Sequence, residues 1–441
     1  MIDTIAIVGG GISGTLVVLN CLKHSTKAIT IHWYDKSNQF AKGYAYSTSN
    51  NLHLLNVRAS NMSAFPDEPS HFINWLQKNN LPYTSTDFVP RTIYGNYICD
   101  TFNQLKVQNP LVTINQYPFE VAQINKSETD FEIITSSTKN NCHFVVFAVG
   151  NFLPAHPKST NLDYTAQPNY FQNPFSKDII KHVNEAKSVT IIGSGLTMVD
   201  VVLTLSSNDY KGKINVISPH GYLPNSHSEP PHNAINPFLD NTKKYTLLEV
   251  LSITNKQLKL AKKENNNWFG VIDSLRPFTQ TLWLNFSLND KKHFLRHLRH
   301  KWGVARHRSP QQSMYVVQNL INNHQLQLIK ARLKSISFVN SQFQIDFSND
   351  SLNTINTDVL INCTGPESNF EKIDQPLIQN LLKSNIISCD DLKYGLNCTF
   401  EGEISPNFYT LGPPLKGILW ESIAVPEIRQ QALNLTLKII A

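Results

Sequence analysis

Gly9, Gly11 and Gly14 are spaced as G-x-G-x-x-G, with a short apolar run, Thr4 to Val8, before them and a helical composition, Thr15 to Leu22, after them. In that order the glycines can do chemistry that an isolated triplet does not specify. Gly9 allows a tight turn after a buried strand, Gly11 lets the backbone approach a pyrophosphate, and Gly14 lets helix pack closely on strand. The phosphates then meet free N–H groups at the positive end of the helix dipole. A second strand-like run, Ala28 to Tyr34, ends at Asp35, 21 residues after Gly14. That is close to the ~20 at which an acid accepts ribose hydroxyls.

The pattern returns further along. Val189 to Ile192 reads as a strand, Gly193 and Gly195 as its turn, Leu196 to Leu205 as a helix and Ile214 to Ile217 as the next strand. Met198 stands at the third glycine position, and Asp200 is expected to cap or pack locally. The second strand ends at Ser218, not at an acid. An acid there would repel a 2′-phosphate, so its absence leans towards NADPH over NADH. No arginine follows, only His220. A nucleotide fold that has lost its ligand is the other reading of this half.

A longer repeat encloses both sites. Val121 to Ile124, Phe131 to Ile134 and Phe144 to Gly150 read as two hairpin strands and a buried strand ending in Ala148-Val149-Gly150. Leu333 to Phe338, Phe343 to Phe347 and Val359 to Gly365 follow the same plan and end in Cys363-Thr364-Gly365. Small residues and a glycine at these ends, Gly150 and Gly365, let the chain pass close to a dinucleotide. The expected fold class is α/β, with two Rossmann-like dinucleotide-binding domains, one interrupted by the other.

Composition sets the frame. At 441 residues the chain has room for three units of about 150 residues each. Its 41% hydrophobic and 16% charged residues suit a folded core and not disorder. The net charge of +6 favours anionic ligands and is too weak to imply nucleic acid. None of the six cysteines is spaced as Cys-x-x-Cys, which excludes a local zinc knuckle and a thioredoxin-reductase-type dithiol. Scattered free thiols suit a reducing compartment. No apolar run reaches the ~18 residues of a membrane span. The first motif begins within ten residues of Met1, which leaves no room for a signal peptide. The expectation is a soluble cytoplasmic protein with no membrane or nucleic-acid partner.

Several further blocks carry a resemblance. They are Gly9 to Gly14, Gly43-Tyr44-Ala45-Tyr46-Ser47, His53-Leu54-Leu55-Asn56-Val57, Met62-Ser63-Ala64-Phe65-Pro66 and Phe72 to Leu76. Gly193 to Asp200, Arg296-His297, Arg306-His307-Arg308, and Gly412-Pro413-Pro414 through Trp420-Glu421 to Ala424–Glu427 and Arg429 complete the set. On these blocks the chain resembles the bacterial FAD/NAD(P)-binding proteins that carry an N-terminal FAD-NAD(P)-binding domain. Its layout is similar to class B flavin monooxygenases and amine N-hydroxylases. It departs from them at Ser218-Pro219-His220, where related chains often carry paired arginines.

The resemblance implies FAD at the first site, with Gly9, Gly11, Ile12, Ser13, Gly14, Asp35 and Lys36, and NADPH (NADH left open) at the second, with Gly193, Gly195, Leu196, Thr197 and Ser218. It implies an FAD domain over 1–170 and 331–441, interrupted by an NAD(P)H domain over 171–330 with a helical insertion at about 228–325. Gly43, Tyr46, Leu55, Asn56, Val57 and Met62 would border the flavin, with Gly412 and Leu419 in the loop before the last helix. That helix would point its N-terminus at the electron-rich end of the flavin. Asn56 is the first candidate at the reactive edge, because an amide donates and accepts without titrating; closing a turn is its other reading. Ser63 could act similarly or cap a helix, and Arg429 would be an ion-pair or surface residue. The implied function is a monooxygenase that forms a flavin hydroperoxide and oxygenates a small amine or other nucleophile with molecular oxygen. A flavin reductase with a separate acceptor, and a non-catalytic nucleotide-binding regulator, stand as alternatives.

The middle region differs from a plain nucleotide domain. It holds Trp268, Trp283, Trp302, a helical pattern from Leu247 to Lys263 and a cationic stretch from Arg296 to Arg308. It reads as a helical insertion over the cleft. The cations could recognise an anionic group, or form a solvated face. His293, His297 and His300 fall on one helical face. No carboxylate or cysteine joins them in sequence, so no metal is assigned.

Overall fold

The computed structural model describes residues 3–160, 162–229, 231, 235–349 and 352–441. The apolar run at the start forms strand Asp3–Val8, with Ile5, Ala6 and Ile7 fully buried. A continuous apolar run suits a parallel strand covered on both faces. Ile29–Tyr34 and Val112–Tyr117 follow it in parallel on one side, and Phe144–Phe147 on the other. Phe408–Thr410 adds to that edge in parallel, and Glu403–Ser405 closes it antiparallel. The opening helix Ile12–His24 packs against helices Arg91–Gln108 and Val425–Ile440.

The second sheet repeats the first. Ser188–Ile192 lies centrally, with Lys213–Ser218 then Leu326–Lys330 on one side and Val359–Asn362 then Tyr170–Phe171 on the other, all parallel. Each sheet sends out an antiparallel three-stranded meander before its last shared strand returns. The first is Val121–Lys126, Phe131–Thr135 and Lys139–Cys142; the second is Leu333–Val339, Gln342–Phe347 and Ile355–Thr357. The third strand of each meander is absent from the sequence reading. Lys139–Cys142 is Lys-Asn-Asn-Cys, which has no apolar alternation to betray it.

Two boundaries move. The expected return to the first domain at 331 falls inside the second unit, because Val359–Asn362 pairs in the second sheet and the second meander packs on that sheet. The chain rejoins the first sheet only at Glu403–Thr410. Helix Gln311–Asn322 packs on Leu196–Ser207 and Leu326–Lys330, so it is the crossover helix of this sheet. The insertion therefore ends near Arg306, short of the expected 325. Helices Leu247–Lys263, Trp268–Ser274, Thr279–Asn285, Leu288–His293 and Arg299–Arg306 make it up. Its core, with Trp283, Leu282 and Phe278, packs against Leu392, Tyr394 and Trp420 of the returning chain.

Residues Phe294–Leu298 form a π-helical turn. The extra residue per turn breaks the expected histidine face. His293 and His297 keep ring centroids 6.3 Å apart, while His300 turns to His220 at 4.8 Å. Among the described residues no group of three His, Cys, Asp or Glu side chains is placed to hold a metal ion, and no helix is long and apolar enough to cross a membrane.

Candidate dinucleotide sites and the cleft beside them

The two glycine turns superpose in their logic. Gly9 has φ +123°, and a Cβ there would lie 2.2 Å from the Ala148 carbonyl oxygen. Gly193 has φ +103°, and its Cβ would lie 2.2 Å from the Cys363 carbonyl oxygen. Each first glycine is thus fixed by the small residue ending the adjacent strand, the feature that marked the repeat. The middle glycines differ from them. A Cβ at Gly11 or Gly195 meets no atom within 4 Å, and each glycine stands at the N-terminus of its helix. Open space in front of unpaired helical N–H groups suits a pyrophosphate. Gly150 and Gly365, both at positive φ, also face open space.

Around the first site, Asp35 accepts from Gly10 N at 2.8 Å and from Ser37 N at 2.8 Å. These bonds fix the carboxylate at the end of its strand and leave lone pairs for ribose hydroxyls. Gly43 packs so tightly that its Cβ would sit 2.7 Å from Gly11 Cα, which places the turn Gly43–Tyr46 against the fingerprint. Ser13 Oγ is held against Gly412, and Gly412 N donates to Gln431 Oε1 at 2.9 Å. A cavity of about 250 Å³ opens between Phe40, Lys42, Tyr46, Thr48 and Thr92. Thr92 Oγ1 at this cavity, and the Tyr94 hydroxyl within the core, are buried without a hydrogen-bond partner among the described residues. Such orphaned groups ask for a polar ligand. The open Gly11, the fixed Asp35 and these hydroxyls fit FAD.

Other predicted residues take structural roles. Ser63 is fully buried; its Oγ donates to Glu68 O at 2.6 Å and accepts from Phe65 N at 3.1 Å. It closes its own turn, which leaves no hydroxyl for catalysis. Leu55 and Met62 lie in the core behind the site, Val57 packs on that core, and Leu419 is buried. Lys36 reaches across to Glu120 at 2.9 Å, on the surface. Arg429 is half-buried and donates from Nη1 to Ser63 O at 2.9 Å, not at the surface as expected. Ile12 and Thr197 remain partly exposed beside their turns.

Asn56 is held by its backbone. Leu55 N donates to Val89 O at 2.9 Å, and Asn56 O accepts from His227 Nε2 at 3.0 Å. Its side-chain amide is partly exposed and makes no hydrogen bond to a described residue, so it is available to a ligand. Burial, with Arg308 and Arg58 nearby, pushes His227 down to about 4, which keeps it neutral at pH 7.

No spacing or motif along the chain marks the bridge between the two units. Arg91 forks onto Asp200 at 2.8 and 3.0 Å and donates from Nε to Leu54 O at 3.0 Å. His53 Nε2 lies 3.0 Å from both Asp200 O and Thr204 Oγ1. Asp200 therefore does not cap its own helix; it ties the second-site helix to the segment carrying Asn56. The two side chains are only 14% and 10% exposed. Asp200→Ala leaves a nearly buried guanidinium unpaired and is expected to cost on the order of 3 kcal/mol, read as a lower denaturant midpoint with unchanged slope.

At the end of strand Lys213–Ser218, Ser218 Oγ accepts from Gly221 N at 3.2 Å. His220 stacks on Tyr222 and meets His300, and the Lys330 stem passes beside Gly221. Burial, Arg299 and His220 push His300 down to about 4.

Residues 6–152 match the sequence model of a protein family described as FAD-NAD(P)-binding. A comparison with curated protein sequences gives no match. Among solved structures, the ornithine N-hydroxylase of Kutzneria sp. 744 is 13% identical with a TM-score of 0.65, over 100% of this chain and 99% of that one. The ornithine hydroxylase of Pseudomonas aeruginosa is 11% identical with a TM-score of 0.66, over 100% and 99%. The cadaverine monooxygenase of Erwinia amylovora is 12% identical with a TM-score of 0.67, over 100% and 94%. At such identities the likeness is one of fold. Residues 6–152 thus resemble the FAD-NAD(P)-binding family model, and the chain as a whole has the fold of these hydroxylases.

Proposed function

We propose that this chain is an FAD-dependent, NADPH-using monooxygenase acting on a small amine or another nucleophilic substrate. The observation that carries the reading is the pair of glycine cradles, Gly11 and Gly195, each open at a helix N-terminus and each preceded by a glycine, Gly9 or Gly193, pressed on a strand-end carbonyl. One cradle suits FAD and the other a nicotinamide dinucleotide. Together these cofactors supply hydride transfer and reaction with molecular oxygen.

The chain's own residues bind and orient. Asp35 holds a ribose, Gly11 and the opening helix hold a pyrophosphate, and Asn56 offers a non-titrating amide beside the reacting group. His220, His300 and Lys330 stand where a 2′-phosphate would fall, which supports NADPH without the usual arginine pair. Amine hydroxylation is supported by the solved structures of like fold, which are named for ornithine and cadaverine hydroxylation. All six cysteines are free, and burial raises the thiols of Cys21, Cys142 and Cys363. Buried thiols of that kind are poor redox relays, which favours oxygen as the electron sink and suits a cytoplasmic protein.

The test is a visible spectrum followed by anaerobic NADPH and then oxygen with ornithine, lysine or cadaverine. Yellow protein that bleaches and then consumes oxygen with hydroxylamine formation is expected. Fast quinone reduction with no oxygenated product would assign a reductase instead. Folded, colourless protein that takes up no added FAD would defeat the reading.

A further inference from the structure

The cationic stretch divides into spent and unspent charges. Arg308 is buried and forks onto Asp273 at 2.9 and 3.1 Å, and Arg299 reaches the Tyr394 hydroxyl at 3.2 Å. Arg306 meets Glu421 through Nε alone, at 3.3 Å, and its terminal nitrogens make no hydrogen bond to a described residue. Glu421, at φ +59°, also accepts from Trp302 Nε1 at 2.9 Å.

His307 follows Arg306. It keeps an exposed surface, and the charges of Arg306, Lys416, Glu427 and Arg276 act on it. Its side chain makes no hydrogen bond to a described residue. Lys416 Nζ rests 5.1 Å from the centre of the Tyr394 ring and has no carboxylate partner among the described residues. Arg276 binds Glu427 Oε1 at 2.7 Å. With Arg429, four fixed cations share the two carboxylates Glu421 and Glu427. Three buried polar atoms of the returning chain, Trp420 Nε1, Arg429 Nε and Glu427 Oε2, lack hydrogen-bond partners among the described residues. Two of those three are donors.

We infer that His307, Lys416 and Arg306 form a subsite for a small anionic group of the substrate, a carboxylate in the first instance. The inference rests on the monooxygenase reading proposed above. Lysine and arginine give a carboxylate charge-assisted hydrogen bonds. Burial and the surrounding cations push His307 down to about 4, so at neutral pH it offers one N–H without adding charge. The adenosine 2′-phosphate of NADPH is another source of negative charge. It belongs with His220 at the end of Lys213–Ser218, whereas His307 neighbours Glu427 in the first turn of the last helix.

Calorimetric titration of the FAD-loaded protein tests this. Benzoate is compared with benzamide and L-ornithine with 1,4-diaminobutane, each pair differing by its carboxylate. At least one carboxylate is expected to bind about tenfold or more tightly than its counterpart, and Lys416→Met and His307→Gln are each expected to weaken it by about tenfold. NADP⁺ affinity is expected to stay unchanged in both variants. Equal binding within both pairs, no saturable carboxylate binding, or wild-type affinity in both variants overturns the subsite. Lost NADP⁺ affinity with retained carboxylate affinity would assign the cluster to the 2′-phosphate and overturn it too. The wild-type visible spectrum, recorded first, shows separately whether FAD is held, so failure of the functional reading and failure of the subsite are different results.

Discussion

Gly11→Val is expected to yield a folded protein that no longer holds FAD. The backbone at Gly11 lies at φ −74° and ψ −177°, extended geometry that valine adopts freely. Nothing lies within 4 Å of where its Cβ would point. The fold therefore tolerates the side chain, and only the ligand meets it. The added isopropyl group takes the space through which a pyrophosphate would approach the helix N-terminus. Affinity for FAD is expected to fall by roughly a hundredfold or more, about 2.8 kcal/mol. Absorbance near the flavin band reports the loss, and circular dichroism and the melting temperature are expected to stay close to wild type. Gly9 makes the contrast. It sits at φ +123° with no room beside the Ala148 carbonyl, so it cannot separate binding from folding. Wild-type FAD affinity in Gly11→Val would show that the first cradle is not the flavin site.

Gly195→Val is expected to keep the protein yellow and stop its reduction by NADPH. Gly195 lies at φ −84° and ψ −166°, exposed and again clear for 4 Å. The variant is expected to bind FAD as the wild type does and to bleach normally with dithionite, which needs no dinucleotide site. Its rate of anaerobic bleaching by NADPH is expected to drop by roughly a hundredfold or more, from loss of about 2.8 kcal/mol of binding. Unchanged reduction would mean that the second glycine turn is a remnant of duplication, and that hydride enters elsewhere.

Much of this architecture is legible along the chain because it is built from local signals. Strand Asp3–Val8, helix Leu196–Ser207 and helix Leu247–Lys263 follow from apolar period and turn glycines. Thr246 and Glu249 add a reciprocal cap to the last of these. The repeat is legible for a better reason: Gly9 and Gly193 must lack side chains because the carbonyls of Ala148 and Cys363 press on them. What stayed hidden is long-range. The Arg91–Asp200 bridge joins residues 109 apart, and no periodicity encodes it. His307 and Lys416 likewise meet only once the insertion has folded back on the returning chain. Ser63 misled because a buried hydroxyl closing a turn and a reactive one have the same sequence signature. The domain boundary misled because a meander looks alike in either unit; only strand pairing tells which sheet it serves.

The interrupted order of the two sheets has a bearing on biosynthesis. Every strand of the second sheet lies between Tyr170 and Asn362, whereas the first sheet waits for Phe408–Thr410 and its opening helix waits for Val425–Ile440. Domains close as units while a chain leaves the ribosome. Here the half that emerges first is the half that finishes last, so its apolar helix faces stay uncovered until nearly all of the polypeptide has been made. The first sheet is accordingly completed only after every strand of the second is available.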